Sequence, residues 1–132
     1  MIATEADLPL IVELALEAHI GSVWEDFAPA DPESIALSAK ALMDRDDAAV
    51  FVCDRGVLML VRFPLWFNHD IPITNEIFFY ATKGGDALRR EGKRWADGLM
   101  TLSRHERTDP RLDTYYRRAG FVPIEHTFIG RA

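Results

Sequence analysis

Apolar residues recur at helical spacing in two segments of the N-terminal half. In the first segment they fall every three or four positions, at Leu8, Ile11, Val12 and Ala15. This pattern predicts a helix over residues 6–19, with a proline in the first turn, where proline is tolerated. In the second segment Asp31 offers a capping carboxylate and Pro32 takes the first helical position. We therefore expect a second helix that ends near Asp44.

Two short apolar runs then predict a β-hairpin. Residues 49–53 and 57–62 are apolar and partly β-branched, and the segment between them contains Gly56. Pro64 is expected to end the second strand, and residues 65–70 are expected to form a loop. An earlier loop, over residues 21–30, contains Trp24 and Phe27. These two aromatic side chains either fold back onto the domain or line a substrate pocket.

A strand, a glycine pair and a helix follow one another directly over residues 75–96. The run 75–81 is aromatic and strand-like, and the helix begins at the pair Gly84 and Gly85. A helix that starts in this way presents free backbone N–H groups and the positive end of its dipole at one point, which suits an anion such as a phosphate. Gly92 lies in the middle of the helix, where it is expected to let the helix press closely on the sheet.

The C-terminal third is predicted to contain two more strands and a short helix. We expect a strand over 99–103, a polar loop over 105–110, a helix over 111–118 and a last strand over 121–129. Pro123 indicates that the last strand lies at an edge or contains a bulge. The sequence has no internal repeat and no linker, and its 132 residues indicate one domain over 1–132.

Composition and charge narrow the class of protein. The net charge is -6, which argues against nucleic acid as the main partner, since phosphate contacts need clustered Lys and Arg. Cys53 is the only cysteine, so no intrachain disulfide is expected. No signal pattern and no apolar run of about 20 residues are present. We therefore expect a cytoplasmic protein without a membrane partner.

The last predicted helix ends in a tyrosine, glycine and phenylalanine motif, in the run Tyr116-Arg117-Arg118-Ala119-Gly120-Phe121. This motif, its distance from the glycine turn and the order of elements resemble the GNAT superfamily of N-acetyltransferases over nearly the whole chain. The runs 64–68 and 75–79 and the helix around Trp95 are also similar to small acetyltransferase-like proteins of phages and prophages. The resemblance implies an α/β fold, with a central, mainly antiparallel, twisted sheet and helices on both faces.

The resemblance also implies binding of acetyl-coenzyme A. In the superfamily its pyrophosphate sits on a loop of the form Arg/Gln-x-x-Gly-x-Gly/Ala. Here Gly85 and Ala87 match that form, whereas Thr82 departs from it and Asp86 would repel a pyrophosphate. The implied cofactor-binding residues are Phe79, Tyr80, Ala81, Lys83, Gly84, Gly85, Asp86 and Ala87. A plain strand-to-helix turn is the alternative interpretation of the glycine pair.

Two residues are candidates for the chemistry of acetyl transfer. The resemblance implies that Tyr116 is the general acid that returns a proton to the leaving thiolate, and packing as a helix aromatic is the alternative. Glu76 is the candidate base, because alternation places it with Phe78 and Tyr80 on one face of the strand, where its pKa would be raised. A pairing carboxylate at a strand edge is the alternative for Glu76. Tyr115 is expected to be structural.

The remaining polar residues give weaker signals. The histidines have no ligand-like spacing with one another or with Cys53, so we predict no metal site. His69 either lines an acceptor pocket or lies on the surface. The basic residues from Arg89 to Arg94 are either solvated or meet the 3′-phosphate of coenzyme A.

The leading hypothesis is therefore acetyl transfer from acetyl-coenzyme A to a primary amine. The alternatives are a GNAT-fold protein that has lost catalysis and serves in binding or in a phage-derived structure, and binding of an acyl-coenzyme A without transfer. A homodimer or a phage assembly is a possible quaternary state.

Overall fold

The computed structural model describes residues 1–105, 107 and 109–132. Its helices and strands follow one another in this order: α1 (Leu8–His19), α2 (Pro32–Met43), β1 (Ala48–Cys53), β2 (Arg55–Leu65), β3 (Asn68–Lys83), α3 (Gly85–Ala96), β4 (Leu99–Thr101) and α4 (Arg111–Arg118). Short 3₁₀ turns cover Glu5–Asp7 and Val23–Asp26. Two residues of the predicted loop 105–110, Glu106 and Thr108, lie outside the described residues.

The strands form one sheet with helices on both faces, as expected from the resemblance. The strand order is β1-β2-β3-β4; the first three are antiparallel, and β4 is parallel to β3. Residues of α1 and α2, such as Ile11 and Ala39, pack in a core on one face with Val57 and Met59. On the other face Leu88 of α3 packs in a second core with residues such as Leu58 and Leu60. The predicted α/β class is confirmed.

Local signals in the sequence placed the first two helices correctly. The Asp31 carboxylate accepts a hydrogen bond from the Ser34 N–H at 2.8 Å and so caps α2. Before α1, the Asp7 carboxylate accepts the Thr4 N–H at 2.8 Å. The predicted bounds of α1 differ from the observed ones only because a 3₁₀ turn precedes the helix.

The predicted loop after Pro64 is wrong, because both strands of this hairpin continue beyond it. Strand β2 runs to Leu65 and β3 starts at Asn68, so that only Trp66 and Phe67 form the turn. Pro64 lies opposite Pro72 in this two-stranded extension. Proline is tolerated there since the extension has a free edge on either side. We call residues 62–73 the arm.

A bulge in β3 overturns the predicted alternation of Glu76. Met59 pairs with Phe78, but the next residue, Leu60, pairs with Glu76, so that β3 carries one extra residue at position 77. Directly paired residues point to the same face of a sheet. Glu76 therefore shares the face of Leu60 and α3, whereas Phe78 and Tyr80 pack on the opposite face with α1 and α2.

The C-terminal predictions fail in two places. Strand β4 ends at Thr101 instead of residue 103, because the Ser103 N–H bonds to a side chain instead of to β3. The strand predicted over 121–129 is absent from the described chain, and residues 122–132 lie exposed in irregular conformation. The segment pairs with none of the described strands, and its apolar side chains, among them Phe128, stay in solvent.

The prediction for Gly92 is confirmed. A Cβ atom at Gly92 would lie 2.7 Å from a methyl carbon of Leu58 and 3.1 Å from one of Leu60. Helix α3 therefore contacts the sheet through backbone at this point, which a larger residue would prevent. The helix ends at Ala96, and the following residue, Asp97, takes a left-handed conformation with φ of 46°.

Candidate active site

The candidate site lies where β3 and β4 separate. The two strands pair only over three rungs, which end at Asn75 and Thr101. Beyond these rungs a side chain, and not the backbone of β3, accepts a hydrogen bond from the segment after β4: the Glu76 carboxylate accepts the Ser103 N–H at 2.7 Å. Beyond this point β3 pairs with β2 alone among the described residues. The edge of β3 that faces away from β2 is therefore free from Ile77 to Lys83.

Glu76 is one of the few buried charged or polar residues in the described chain, with 7% of its surface exposed. Burial raises the pKa of its carboxyl to about 7, and the hydrogen bond from Ser103 opposes that rise. A carboxyl group with a pKa near neutrality exchanges its proton readily at physiological pH. This property is the one that a general base needs.

Tyr116 lies on the other side of Ser103. Its hydroxyl donates to the Ser103 carbonyl at 3.0 Å, so one residue of the chain connects both candidate groups. Burial, and secondly the Glu76 charge, raise the pKa of the Tyr116 phenol. The phenol therefore stays protonated across the neutral range, as a proton or hydrogen-bond donor must. The prediction that Glu76 and Tyr116 act in catalysis stays a prediction, but the fold does bring them together.

Ser103 was missed by sequence reasoning. It takes part only through its backbone, which carries no signal in the sequence. The partnership of Glu76 with the 103 peptide follows from the bulge at Ile77, which turns Glu76 toward α3 and α4. The alternative interpretation of Glu76 was a pairing carboxylate at a strand edge. Glu76 does accept a hydrogen bond from a backbone N–H, that of Ser103, but it does so in a buried position.

Three predicted cofactor-binding residues turn their side chains into the protein. Phe79 and Ala81 pack against the core under α3. The Tyr80 hydroxyl donates to Glu17 of α1 at 3.0 Å. Burial raises the pKa of the Tyr80 phenol, and Glu17 adds to the rise. These three residues can therefore meet a ligand on the free edge of β3 only through their backbone groups.

The junction of β3 with α3 is shorter than a loop. Gly84 alone separates the two elements; its φ is 82°, and a Cβ atom there would lie 2.9 Å from Sγ of Cys53. At Gly85 a Cβ would lie 3.2 Å from that of Ala81. Local packing thus explains both glycines, which favours the plain-turn interpretation. The backbone N–H groups of residues 85–87 nevertheless have no acceptor within the described chain, as is general for a first helical turn.

Asp86 turns away from the start of α3. Its carboxylate bonds to Arg89 at 3.0 Å and pairs with Arg90 at 2.8 Å, and the Tyr115 hydroxyl donates to it at 2.9 Å. The bond from Arg89, followed by that from Tyr115, lowers the pKa of the Asp86 carboxyl. Its charge is therefore balanced by two guanidinium groups, and Tyr115 has the structural role that we expected: it ties α4 to α3.

We predict a small effect from Asp86→Asn. The variant releases Arg89 and Arg90 from a carboxylate at the start of α3 and removes a negative charge from that point. Coenzyme A should bind a few-fold more tightly, and the melting temperature should fall slightly because α4 loses part of its contact with α3. Calorimetric titration and a thermal melt measure both effects. Asp47→Asn, which breaks the exposed pair with Arg45, is the matched control. A lower melting temperature without tighter binding would contradict the prediction.

Two clefts lie on the described surface. One, of about 280 Å³, is lined by residues that include Cys53, Lys83 and Gly84 at the junction with α3. The other, of about 510 Å³, lies at the end of α1 and includes Glu25, Asp26 and Phe27 in its lining. Trp24 is half exposed and is not among the residues that line the larger cleft, so of the two aromatic residues only Phe27 lines a pocket there.

The larger cleft adjoins the segment that follows Ser103. Arg107 donates to the Ser22 carbonyl at 3.2 Å and pairs with Asp26 at 2.7 Å. This contact joins the loop before α2 to the segment that carries the Ser103 peptide. The loop over residues 21–30 was predicted as a possible substrate pocket, and Phe27 is the aromatic residue that fits this role.

The weaker sequence signals resolve as follows. His69 lies exposed on β3 within the arm. In the basic segment of α3, Arg89 and Arg90 pair with Asp86, and Lys93 donates to the Ala119 carbonyl at 3.4 Å. Over the described ranges no three His, Cys, Asp or Glu side chains come together as a metal site requires. Over the same ranges no helix is long and apolar enough to cross a membrane.

Comparisons with known proteins support the resemblance at the level of the fold. No protein-family model and no curated protein matches the chain. A solved structure from Agrobacterium tumefaciens, assigned as an acetyltransferase, has a TM-score of 0.71 at 18% identity, over 100% of this chain and 98% of that one. A transcriptional regulator from Bacillus halodurans has a TM-score of 0.71 at 16% identity, over 100% and 97%. A predicted acetyltransferase from Clostridium acetobutylicum, solved with acetyl-CoA, has a TM-score of 0.65 at 12% identity, over 99% and 94%.

The chain has the GNAT acetyltransferase fold. The neighbours support the resemblance for the fold alone, and they give no support to the similarity with phage proteins. Because the sequence identities are below 20%, the similarity to these structures concerns only the arrangement of helices and strands. The roles of Glu76, Tyr116 and the α3 junction must be argued from the geometry of this chain.

Proposed function

We propose that the protein transfers an acetyl group from acetyl-coenzyme A to a primary amine. The observation that carries this proposal is that Glu76 and Tyr116 bond to the backbone of one residue: the Glu76 carboxylate accepts the Ser103 N–H, and the Tyr116 hydroxyl donates to the Ser103 carbonyl. One group is a buried carboxyl with a pKa near 7, and the other is a phenol that stays protonated. Together they supply the base and the acid that acyl transfer to an amine needs.

The free edge of β3 fits the thioester substrate. Coenzyme A joins a pyrophosphate to a long arm that contains two amide groups. An extended chain with amide groups can add to an open strand edge through backbone hydrogen bonds. The free N–H groups at residues 85–87, with Lys83 beside them, offer an anion site at one end of this edge. Glu76 and Tyr116 lie at the other end, so a long, extended ligand is the kind that spans both.

The proposed reaction is a direct transfer. The Glu76 carboxylate takes a proton from the ammonium form of the acceptor, and the neutral amine nitrogen attacks the thioester carbonyl carbon. A C–N bond forms, the C–S bond breaks, and Tyr116 donates a proton to the leaving sulfur. For this step the Tyr116 hydroxyl must turn from the Ser103 carbonyl toward the sulfur. The attacking nitrogen releases its second proton to the Tyr116 phenolate, so that the amide, the coenzyme A thiol and protonated Glu76 remain. The cleft beside Phe27, Glu25 and Asp26 is the proposed place for the amine.

The second candidate is a GNAT-fold protein that binds partners without catalysis. The specific observation in its favour is the α3 junction, where packing alone explains Gly84 and Gly85. Binding of acyl-coenzyme A without transfer lies between the two. The three candidates differ in measurable ways. Acetyl transfer requires both binding of acetyl-coenzyme A and turnover, and binding without transfer requires the binding alone. A protein that only binds partners requires neither.

Coenzyme A is expected to stabilise the folded protein if the first proposal holds. At a hundredfold excess over the dissociation constant, mass action adds about 2.7 kcal/mol to the free energy of unfolding. Thermal melts with acetyl-coenzyme A, followed by calorimetric titration, measure this effect. Lys83→Ala should weaken binding about tenfold, as expected for one lost charge-assisted contact. Lys40→Ala, on α2 and paired with Glu5, is the control and should bind normally. If millimolar acetyl-coenzyme A did not raise the melting temperature, only the candidate that binds partners without catalysis would remain.

A further inference from the structure

The arm carries the most exposed apolar cluster of the described hairpins. Trp66 and Phe67 are 86% and 67% exposed, and their rings contact each other edge to face with centroids 5.5 Å apart. Phe63 and Ile71 lie behind them and are also exposed. Soluble proteins rarely expose a continuous apolar patch of this kind without a partner for it.

The arm projects because its neighbours stop short of it. Strand β1 pairs with β2 only as far as Val61, and β4 pairs with β3 only from Ile73 onward. Beyond these points the two strands pair only with each other, from Pro64 opposite Pro72 to Leu65 opposite Asn68. The aromatic turn therefore stands clear of both cores. Its exposure follows from strand lengths and is independent of the candidate active site.

We infer that the arm is the interface of a two-fold symmetric homodimer. A two-fold contact places the same patch of both copies face to face, and an apolar patch is complementary to itself. With about 200 Å² for each large side chain, the exposed fractions of the four apolar residues amount to roughly 500 Å² per copy. Two arms would then bury about 1,000 Å², the lower bound for a specific interface. Tryptophan and phenylalanine are suited to the centre of such an interface.

The composition of the arm favours side-chain packing over strand addition. Pro64 and Pro72 lie opposite each other and remove one N–H group from each strand. A further strand on either edge would therefore lack a hydrogen bond in the middle of the arm. The contact must then form through the faces and the tip of the arm, where the aromatic rings lie.

A lipid surface fits the arm less well than a second copy. Membrane-binding segments combine aromatic residues with Lys or Arg that meet anionic headgroups. Between Arg62 and Thr74 the arm has no Lys or Arg, and its one ionised side chain is Asp70. Arg62 points to α3, where its guanidinium lies 4.3 Å from the centre of the Trp95 ring and donates to the Trp95 carbonyl. The chain also carries a net charge of -6, which opposes binding to anionic membranes.

Sedimentation velocity on the whole chain, from 1 to about 200 µM, tests this inference. The wild type should form a dimer of twice 15.0 kDa within that range. The double variant Trp66→Ser, Phe67→Ser should stay folded by circular dichroism, since both side chains are exposed, and its dissociation constant should rise at least about 30-fold. Trp24→Ser removes a half-exposed tryptophan outside the arm and should leave the dimer intact.

Three results would overturn the homodimer. The first is a wild type that stays monomeric over the whole concentration range. The second is a dimer that survives in the folded double variant, which would place the interface elsewhere. The third is a monomeric wild type that sediments with phosphatidylcholine vesicles while the double variant does not, which would assign the arm to a membrane surface. None of these results bears on acetyl transfer, which the binding of coenzyme A tests separately.

Discussion

Tyr116→Phe is expected to lower turnover by about 10²-fold or more while the affinity for coenzyme A changes little. The substitution removes the hydroxyl that would protonate the leaving sulfur. It keeps the ring, whose centroid lies 6.2 Å from that of the Phe121 ring. The Ser103 carbonyl loses its hydrogen bond from this hydroxyl, so stability should fall by about 1 kcal/mol. Steady-state kinetics with an amine that is found to accept acetyl groups, together with calorimetry, separates the two parameters.

Tyr115→Phe is the matched control for this prediction. The neighbouring tyrosine loses an equivalent hydroxyl, but that hydroxyl bonds to Asp86 and Arg89 instead of to Ser103. Its effect on turnover should be much smaller than that of Tyr116→Phe. Equal losses in both variants would mean that the two hydroxyls matter only for the position of α4. Unchanged turnover in Tyr116→Phe would remove this residue from the mechanism.

Glu76→Gln should stabilise the protein in alkaline solution and inactivate it. The pKa of Glu76 is raised from 4.5 to about 7 in the folded protein. Between these two pH values the carboxyl group is therefore ionised in the unfolded state but still mostly protonated in the folded state. The wild type therefore loses stability as the pH rises from about 4.5 to about 7, and this loss is complete above 7. Glutamine keeps an oxygen that can accept the Ser103 N–H. At pH 8 the variant should be more stable by up to about 3 kcal/mol, with no such gain at pH 4.

Urea unfolding at the two pH values measures this difference. Glu125→Gln, in the exposed C-terminal segment, is the control and should change stability little at either pH. The activity of the wild type should rise with pH as Glu76 ionises, with a midpoint near 7, and Glu76→Gln should lower turnover by about 10²-fold or more. A variant that gains stability and keeps full activity would show that Glu76 is buried for another reason than proton transfer.

Local features were predictable from the sequence because local physics decides them. Asp31 and Pro32 fix the start of α2 whatever surrounds it, and Gly56 pairs with Cys53 directly after the turn of the first hairpin. Gly92 could be assigned to a close helix–sheet contact because few other causes place a glycine inside a helix. The order of these elements, together with the motif from Tyr116 to Phe121, was sufficient for the resemblance that implied the fold class.

The details of the candidate site depend on pairing between distant segments, and these details were missed. Nothing in residues 75–81 reveals that Leu60 pairs with Glu76 while Met59 pairs with Phe78. This one-residue irregularity decides which face Glu76 occupies and whether it can reach Ser103. In the same way, Pro64 ends a central strand but is compatible with a ribbon that has two free edges. The segment 121–129 has strand-like composition, and no paired strand accompanies it in the described chain.

The close contact at Gly92 has a consequence for the start of α3, where coenzyme A is proposed to bind. The first turn lies seven residues before Gly92, about 10 Å along the helix. The middle of α3 rests on Leu58 and Leu60 without a side chain between, so a tilt of the helix toward the sheet would push against these residues. The amides of residues 85–87 are thus held in place by a contact that no ligand touches. The protein then loses little conformational entropy when coenzyme A binds, and most of the loss comes from the ligand. Gly92→Ala would displace α3 from the sheet and so make the amides of residues 85–87 less ordered, although Gly92 itself does not touch the ligand.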